Sequence, residues 1–199
     1  GHIYYKLKRW DDSAFAQEAS ARTDHNYMIT RRVLPDQIHN YAHNNEWLCR
    51  NWMNLGRAHD ALGMARSLLA NPRHPRLNTP ERGGRSTKYG RIRIFEVLKR
   101  FELWDETLRL ADTPYLEPTT KREEQLKRLR LLGHAHFGKE SLDGVRSIDQ
   151  EMAKLLDTAT EEKEKVEKEA REKAEKEKKN EKDTKKLVKE AGKKPREWI

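Results

Sequence analysis

His39-x-x-x-His43-x-x-Glu46 places two imidazoles and a carboxylate on successive turns of one helix face. Zinc and similar ions take neutral imidazole nitrogens and carboxylate oxygens at such spacing. His134 and His136 are further nitrogen donors, far away in sequence. No other ligand cluster accompanies the triplet, so the expected state of His39, His43 and Glu46 is a polar helix face, with no metal and no cofactor. A second chemistry is electrostatic. Arg73, Arg76, Arg82, Arg85, Lys88, Arg91 and Arg93 face Glu81 alone in one stretch, a composition suited to phosphate. That stretch has Tyr89 as its one aromatic and no nucleic-acid motif, and it reads as a flexible solvated insertion. Cys49 is the only cysteine, which excludes an intrachain disulfide, and its neighbours suggest a buried thiol. No Ser–His–Asp arrangement, glycine-rich phosphate loop or paired-carboxylate motif stands out, so no catalytic residue is expected.

Positioning those groups requires a core, and composition says where it lies. The chain has 199 residues and a net charge of +9; 35% of residues are hydrophobic and 38% charged. The charge excess is uneven. From Glu161 to Trp198 the sequence is dominated by Glu, Lys, Arg and Ala, whereas the aromatic residues, Trp198 apart, precede it. The expected division is a globular domain over residues 1–156, with a basic loop at 72–90, and a charged helical extension over 157–199. No run of 18 apolar residues occurs, so no membrane-spanning helix is expected. The chain starts at Gly1 inside an apparent helix, and an excised fragment is expected; its compartment is not legible.

The signals are helical throughout, with no period-2 alternation between turn residues. Ile3–Leu7 reads as the end of one helix, Asp11–Ala21 as the next, and Tyr27–Arg32 as a helical turn. Pro35 suits a first helical turn, where its missing N–H costs nothing. The helix it opens is predicted to reach Leu55, with Ile38, Tyr41, Leu48, Trp52 and Leu55 as its buried stripe. Further helices are predicted over Asp60–Leu69, Arg91–Phe101, Asp105–Ala111 and Lys121–His136, the last capped by Thr120. Ser141 opens a final helix. It runs as one solvated rod through Glu-to-Lys pairs such as Glu161–Lys165 and Glu175–Lys179 until Gly192 and Pro195.

Four segments share one pattern: a helix ends, a short turn follows, and the next helix opens with an acid and a small residue. They are Leu7-Lys8-Arg9-Trp10-Asp11-Asp12-Ser13, Leu55-Gly56-Arg57-Ala58-His59-Asp60-Ala61, Phe101-Glu102-Leu103-Trp104-Asp105-Glu106-Thr107 and, more weakly, Gly138-Lys139-Glu140-Ser141-Leu142-Asp143. Acids there answer the new helix dipole. Small residues let paired helices approach.

These segments resemble the tetratricopeptide repeat. The motif positions are Gly1, Tyr4, Leu7, Trp10 and Ser13; Leu48, Cys49, Trp52, Gly56, Ala61 and Pro72; Leu98, Phe101 and Trp104; and Leu132, Gly133 and His136. The units recur every 38–48 residues rather than every 34, with insertions after Ala21, at 72–89 and around 114–120. The resemblance therefore implies a divergent all-α, right-handed α-α superhelix of about three and a half repeats. It implies a concave groove lined by first helices, with His43, Glu46, Arg50 and Asn54 facing it, joined by Tyr5, Lys6, Glu96, Lys99, Arg130 and His134. Such a groove would make the chain a protein-interaction scaffold for a protein or acidic peptide. Two alternatives stand beside it: a helical accessory domain of a larger, metal-dependent enzyme, and electrostatic binding of nucleic acid.

Overall fold

The computed structural model describes residues 1–80, 82, 84–177 and 180–193. Among these the chain is helical and has no strand. The helices are α1 (His2–Lys6), α2 (Trp10–Arg31), α3 (His39–Asn54), α4 (Ala58–Ala70), α5 (Ser86–Arg100), α6 (Trp104–Leu110), α7 (Arg122–Gly138), α8 (Leu142–Lys176) and α9 (Glu181–Ala191). No helix of the described chain is long and apolar enough to cross a membrane. The chain divides into two compact units, Gly1–Gly144 and Val145–Ile199.

One turn geometry ends five helices among the described residues, at Arg32 and at four places where the next helix follows directly. Lys8, Gly56, Glu102 and Glu140 all adopt left-handed backbone, with φ of 58°, 75°, 51° and 55°. In each case the residue after the left-handed one donates its N–H to the carbonyl five residues back. Arg9 bonds Tyr4 O (3.0 Å), Arg57 bonds Trp52 O (2.8 Å), Leu103 bonds Leu98 O (3.0 Å) and Ser141 bonds His136 O (2.9 Å). The left-handed residue itself bonds the carbonyl three back, as in Lys8 to Tyr5 O (3.0 Å) and Glu140 to Phe137 O (3.0 Å). This double closure satisfies the carbonyls that a helix end leaves open. At the first three turns the following residue, Arg9, Arg57 or Leu103, caps the next helix with nearly the same φ and ψ. The small residue four positions later is buried each time, as Ser13, Ala61 and Thr107. In the first two units a hydrogen bond ties it to the preceding helix, with the roles of donor and acceptor exchanged. Ser13 Oγ donates to Gly1 O (3.0 Å), and Cys49 Sγ donates to Ala61 O (3.6 Å).

Consecutive helices of the first unit pack on one another, and α3, α5 and α7 also touch in series. The largest core joins α3, α4 and α5 through Cys49, Met53, Ala61, Leu62, Ala65, Ile94, Val97 and Leu98. Leu110, Leu116 and Leu131 extend it toward α6 and α7. Cys49 is fully buried, and burial pushes its thiol above the usual range, so it packs as a neutral side chain.

Several boundaries differ from the sequence-based expectation. α2 is one helix where a break after Ala21 was expected. Its second half has no Gly or Pro, Thr23 Oγ1 returns a bond to Ala19 O (3.0 Å), and Arg32 (φ 52°) closes it. Pro35–Gln37 form a separate 3-10 turn, and α3 starts at His39. α5 starts at Ser86 rather than Arg91. Thr120 does not cap α7: the cap position is Lys121, with no side-chain bond. Ser141 does sit at the start of α8, its Oγ accepting from Gly144 N (3.3 Å).

Around Asn78 the described part of the basic segment is pinned rather than loose. Asn78 is 1% exposed, and it donates to Asp36 and to Ser86 Oγ (2.8 Å) while accepting from Thr87 N (3.0 Å). The charged extension is two helices, not one. α8 ends at Lys176, and Asn180 caps α9 by accepting from Asp183 N (2.9 Å). Gly192 ends α9 close against Glu167 of α8. Lys179, Pro195 and Trp198 lie outside the described residues.

Gly90 marks the closest approach of α4 and α5. A Cβ there would stand 2.2 Å from Leu69 Cδ1 and 2.7 Å from the backbone oxygen of Ala65. Gly90→Ala should therefore lower unfolding free energy by about 1–3 kcal/mol despite its better helix propensity. Urea denaturation of the variant checks this; a gain in stability would mean that the helices do not meet so closely.

A candidate binding cleft between α5 and α7

The face of α3 opposite its core side holds its charges against neighbouring helices. Glu46 is 2% exposed, and its carboxylate accepts from Arg93 of α5 and from Arg50 Nε (2.7 Å). Arg93, also buried, bridges onward to Glu96. A carboxylate at this depth is stable only with such donors, since stranding it in the interior costs several kcal/mol. Arg50 lies over the Trp47 ring (4.5 Å), and Asn54 accepts from Arg100 Nη1 (2.9 Å).

At the start of α3, His43 Nε2 is 3.3 Å from His2 Nε2, and His39 stacks on His43 with centroids 5.7 Å apart. Burial, and then the neighbouring His2, lower the pKa of His43, so it is neutral at pH 7. Tyr5 packs edge-on against Trp10 and Trp47, and Lys6 is exposed. His39, His43 and Glu46 do not converge as a metal site. The carboxylate serves two arginines, and among the described residues no group of three or more His, Cys, Asp or Glu is placed to hold an ion.

The other predicted groove residues do converge. Glu96 and Lys99 of α5 and Arg130 and His134 of α7 line one cleft of about 380 Å³. Ile92, Phe95 and Leu131 give it an apolar floor. Arg91 lies at its edge, almost fully buried, with its guanidinium over Phe95 (5.1 Å) and Nη2 donating to Glu117 O (2.8 Å). The cleft is closed at one end by an ion pair between the two helices, Lys88 Nζ to Glu124 Oε1 (2.6 Å), which Lys127 joins at 3.2 Å. Among the described residues, Lys99 and Arg130 make no ion pair. His134 stacks near Trp104 at 6.4 Å.

The site thus has apolar contact area beside two uncommitted cations, and its two carboxylates, Glu96 and Glu124, are already paired with other cations. It offers no activated nucleophile. Such a lining can contact apolar side chains and negative charge together. No family model matches this chain, and neither characterised proteins nor solved structures match it. Its function has to be read from this geometry.

Four of the ten predicted groove residues meet in the cleft, and the sequence reading missed its floor. Ile92 and Phe95 lie three apart on α5, one turn from Glu96 and Lys99, a spacing that would have flagged them once α5 was known to start at Ser86.

Glu124 gives a pH test. Burial opposes its ionisation, but bonds to Lys88 and Lys127 outweigh that and hold its carboxyl below the usual range. Its folded pKa is depressed, so the pair stabilises the fold above the unfolded value of about 4.3 and is lost as pH falls through the folded pKa. Glu124→Gln should cost about 1–3 kcal/mol at pH 7, and the gap to the unaltered chain should narrow below pH 4, as followed by thermal melts. A gap independent of pH would remove the ion pair from the account.

Proposed function

We propose that this chain is a helical-repeat interaction module, of divergent tetratricopeptide character, whose helix pairs stack as a right-handed superhelix. It acts by binding: the cleft between α5 and α7 holds a peptide or protein segment with acidic and apolar side chains. The observation that carries this reading is the pairing of Lys99 and Arg130, both without an ion-pair partner among the described residues, across the floor of Ile92, Phe95 and Leu131. An arginine and a lysine left unpaired beside apolar surface favour a ligand that supplies carboxylates and buries hydrophobic area together. The four equivalent turns support the repeat reading, because each presents the preceding helix in the same way.

The reading is tested by isothermal titration of the full chain with a twelve-residue peptide of alternating Glu and Leu, beside its Gln-for-Glu counterpart. The acidic peptide should bind at least about tenfold more tightly, about 1.4 kcal/mol. Lys99→Glu with Arg130→Glu should abolish that preference while leaving the melting temperature unchanged. Equal affinity for both peptides, or indifference to the double variant, contradicts the proposal.

A further inference from the structure

The connections leading into α3, α5 and α7 meet at one end of the first unit. Asp36, between α2 and α3, accepts from the backbone N–H of His74 and from Asn78, and its own carbonyl accepts from Arg85 Nη1 (2.8 Å). Arg73 pairs with Glu117, between α6 and α7, at 3.8 Å. Three loops are therefore tied into one surface, with the buried Asn78 at its centre.

The unpaired charge on that surface, among the described residues, is mostly positive. Arg31, Arg32, Arg76 and Arg82 are exposed, and among the described residues their guanidinium groups have no ion-pair partner. The negative charge of Asp36 is taken up by amide donors within the loops, and Glu117 is engaged by Arg73. The remaining acid of these connections among the described residues is Asp112. Neither α3 nor α5 has an acid in its first turn, so their positive dipole ends add to the same potential; α7 opens with Glu123 and Glu124, which are paired with Lys88, Lys121 and Lys127. The four repeat turns differ: their helices open with Asp11 and Asp12, Asp60, Asp105 and Glu106, and Asp143.

We propose that this end of the unit is a binding surface for the phosphodiester backbone of single-stranded nucleic acid. Fork-shaped guanidinium groups match phosphate, and arginines spread over tied loops suit a ligand whose charge is extended. None of these four arginines lines the cleft, so this proposal stands or falls independently of the peptide proposal.

The test is fluorescence anisotropy of the full chain with a labelled twenty-nucleotide poly-uridine RNA over a salt series. Binding should weaken with salt, by about 0.7 log units per tenfold salt for each phosphate neutralised. Arg32→Gln, Arg76→Gln and Arg82→Gln together should reduce affinity at least tenfold at low salt and make the salt slope shallower by about two. Lys163→Gln, Lys165→Gln and Lys168→Gln in α8 remove the same charge and should change affinity less than twofold. Circular dichroism melts of both triple variants should match the unaltered chain, since the altered side chains are exposed or half-buried. No binding at about 50 mM salt, an equal loss in the α8 variant, or poly-glutamate competing as effectively as RNA would each overturn the proposal; the last would point to an acidic protein instead.

Discussion

The buried pair between Glu46 and Arg93 is the interaction on which the rest of the first unit's charged face depends. It joins α3 to α5 at a depth where neither charge can be left alone: breaking such a pair by removing one partner typically costs about 3–5 kcal/mol. Its existence fixes what the neighbouring side chains can do. Glu46 is committed to Arg93 and Arg50, so it cannot serve a metal with His39 and His43. Arg93 is drawn inward, while Glu96, its second partner, stays exposed. Further along the same face, Lys99 has no such partner and turns toward α7 beside Arg130. The division between a satisfied α1–α3 region and an unsatisfied α5–α7 cleft follows from where this pair sits.

The turns supply the complementary constraint. A left-handed residue costs a non-glycine side chain about 1–2 kcal/mol, yet Lys8, Glu102 and Glu140 accept it. What offsets the strain is the pair of carbonyls closed at each turn and the burial of the small residue that follows. The same reversal recurs, so residues at equivalent positions before each turn can be compared. Arg50, Glu96 and His134 each stand six residues before a left-handed residue, and the last two line the cleft.

Much of this was legible in the sequence, and the physical reasons are specific. The turns could be read because helix reversal demands a local code: an apolar end, a polar or glycine residue, then an acid and a small residue. The all-α class and the burial of Cys49 followed from the same pattern. The extent of α2 could not be read, because Thr23–Arg31 has no apolar stripe and only the absence of Gly and Pro argues for helix. The start of α5 was hidden by Gly90, which reads as a breaker but allows close packing on Ala65 and Leu69. The anchoring of the basic segment at Asn78 was hidden for a different reason: Asn78 and Asp36 are 42 residues apart and meet only in the folded chain. The commitment of Glu46 to Arg93 is likewise long-range, which is why a face expected to be open is partly closed.

The central claim is that ligand recognition belongs to the α5–α7 cleft. The most direct measurement is a set of amide chemical-shift maps of the isotopically labelled chain as the acidic peptide is added. The account predicts that perturbations concentrate on Ile92, Phe95, Glu96, Lys99, Arg130, Leu131 and His134. Residues of the α1–α3 junction, His2, His43 and Trp47, should stay unmoved. Saturable shifts centred on that junction, with the α5–α7 residues silent, would contradict it.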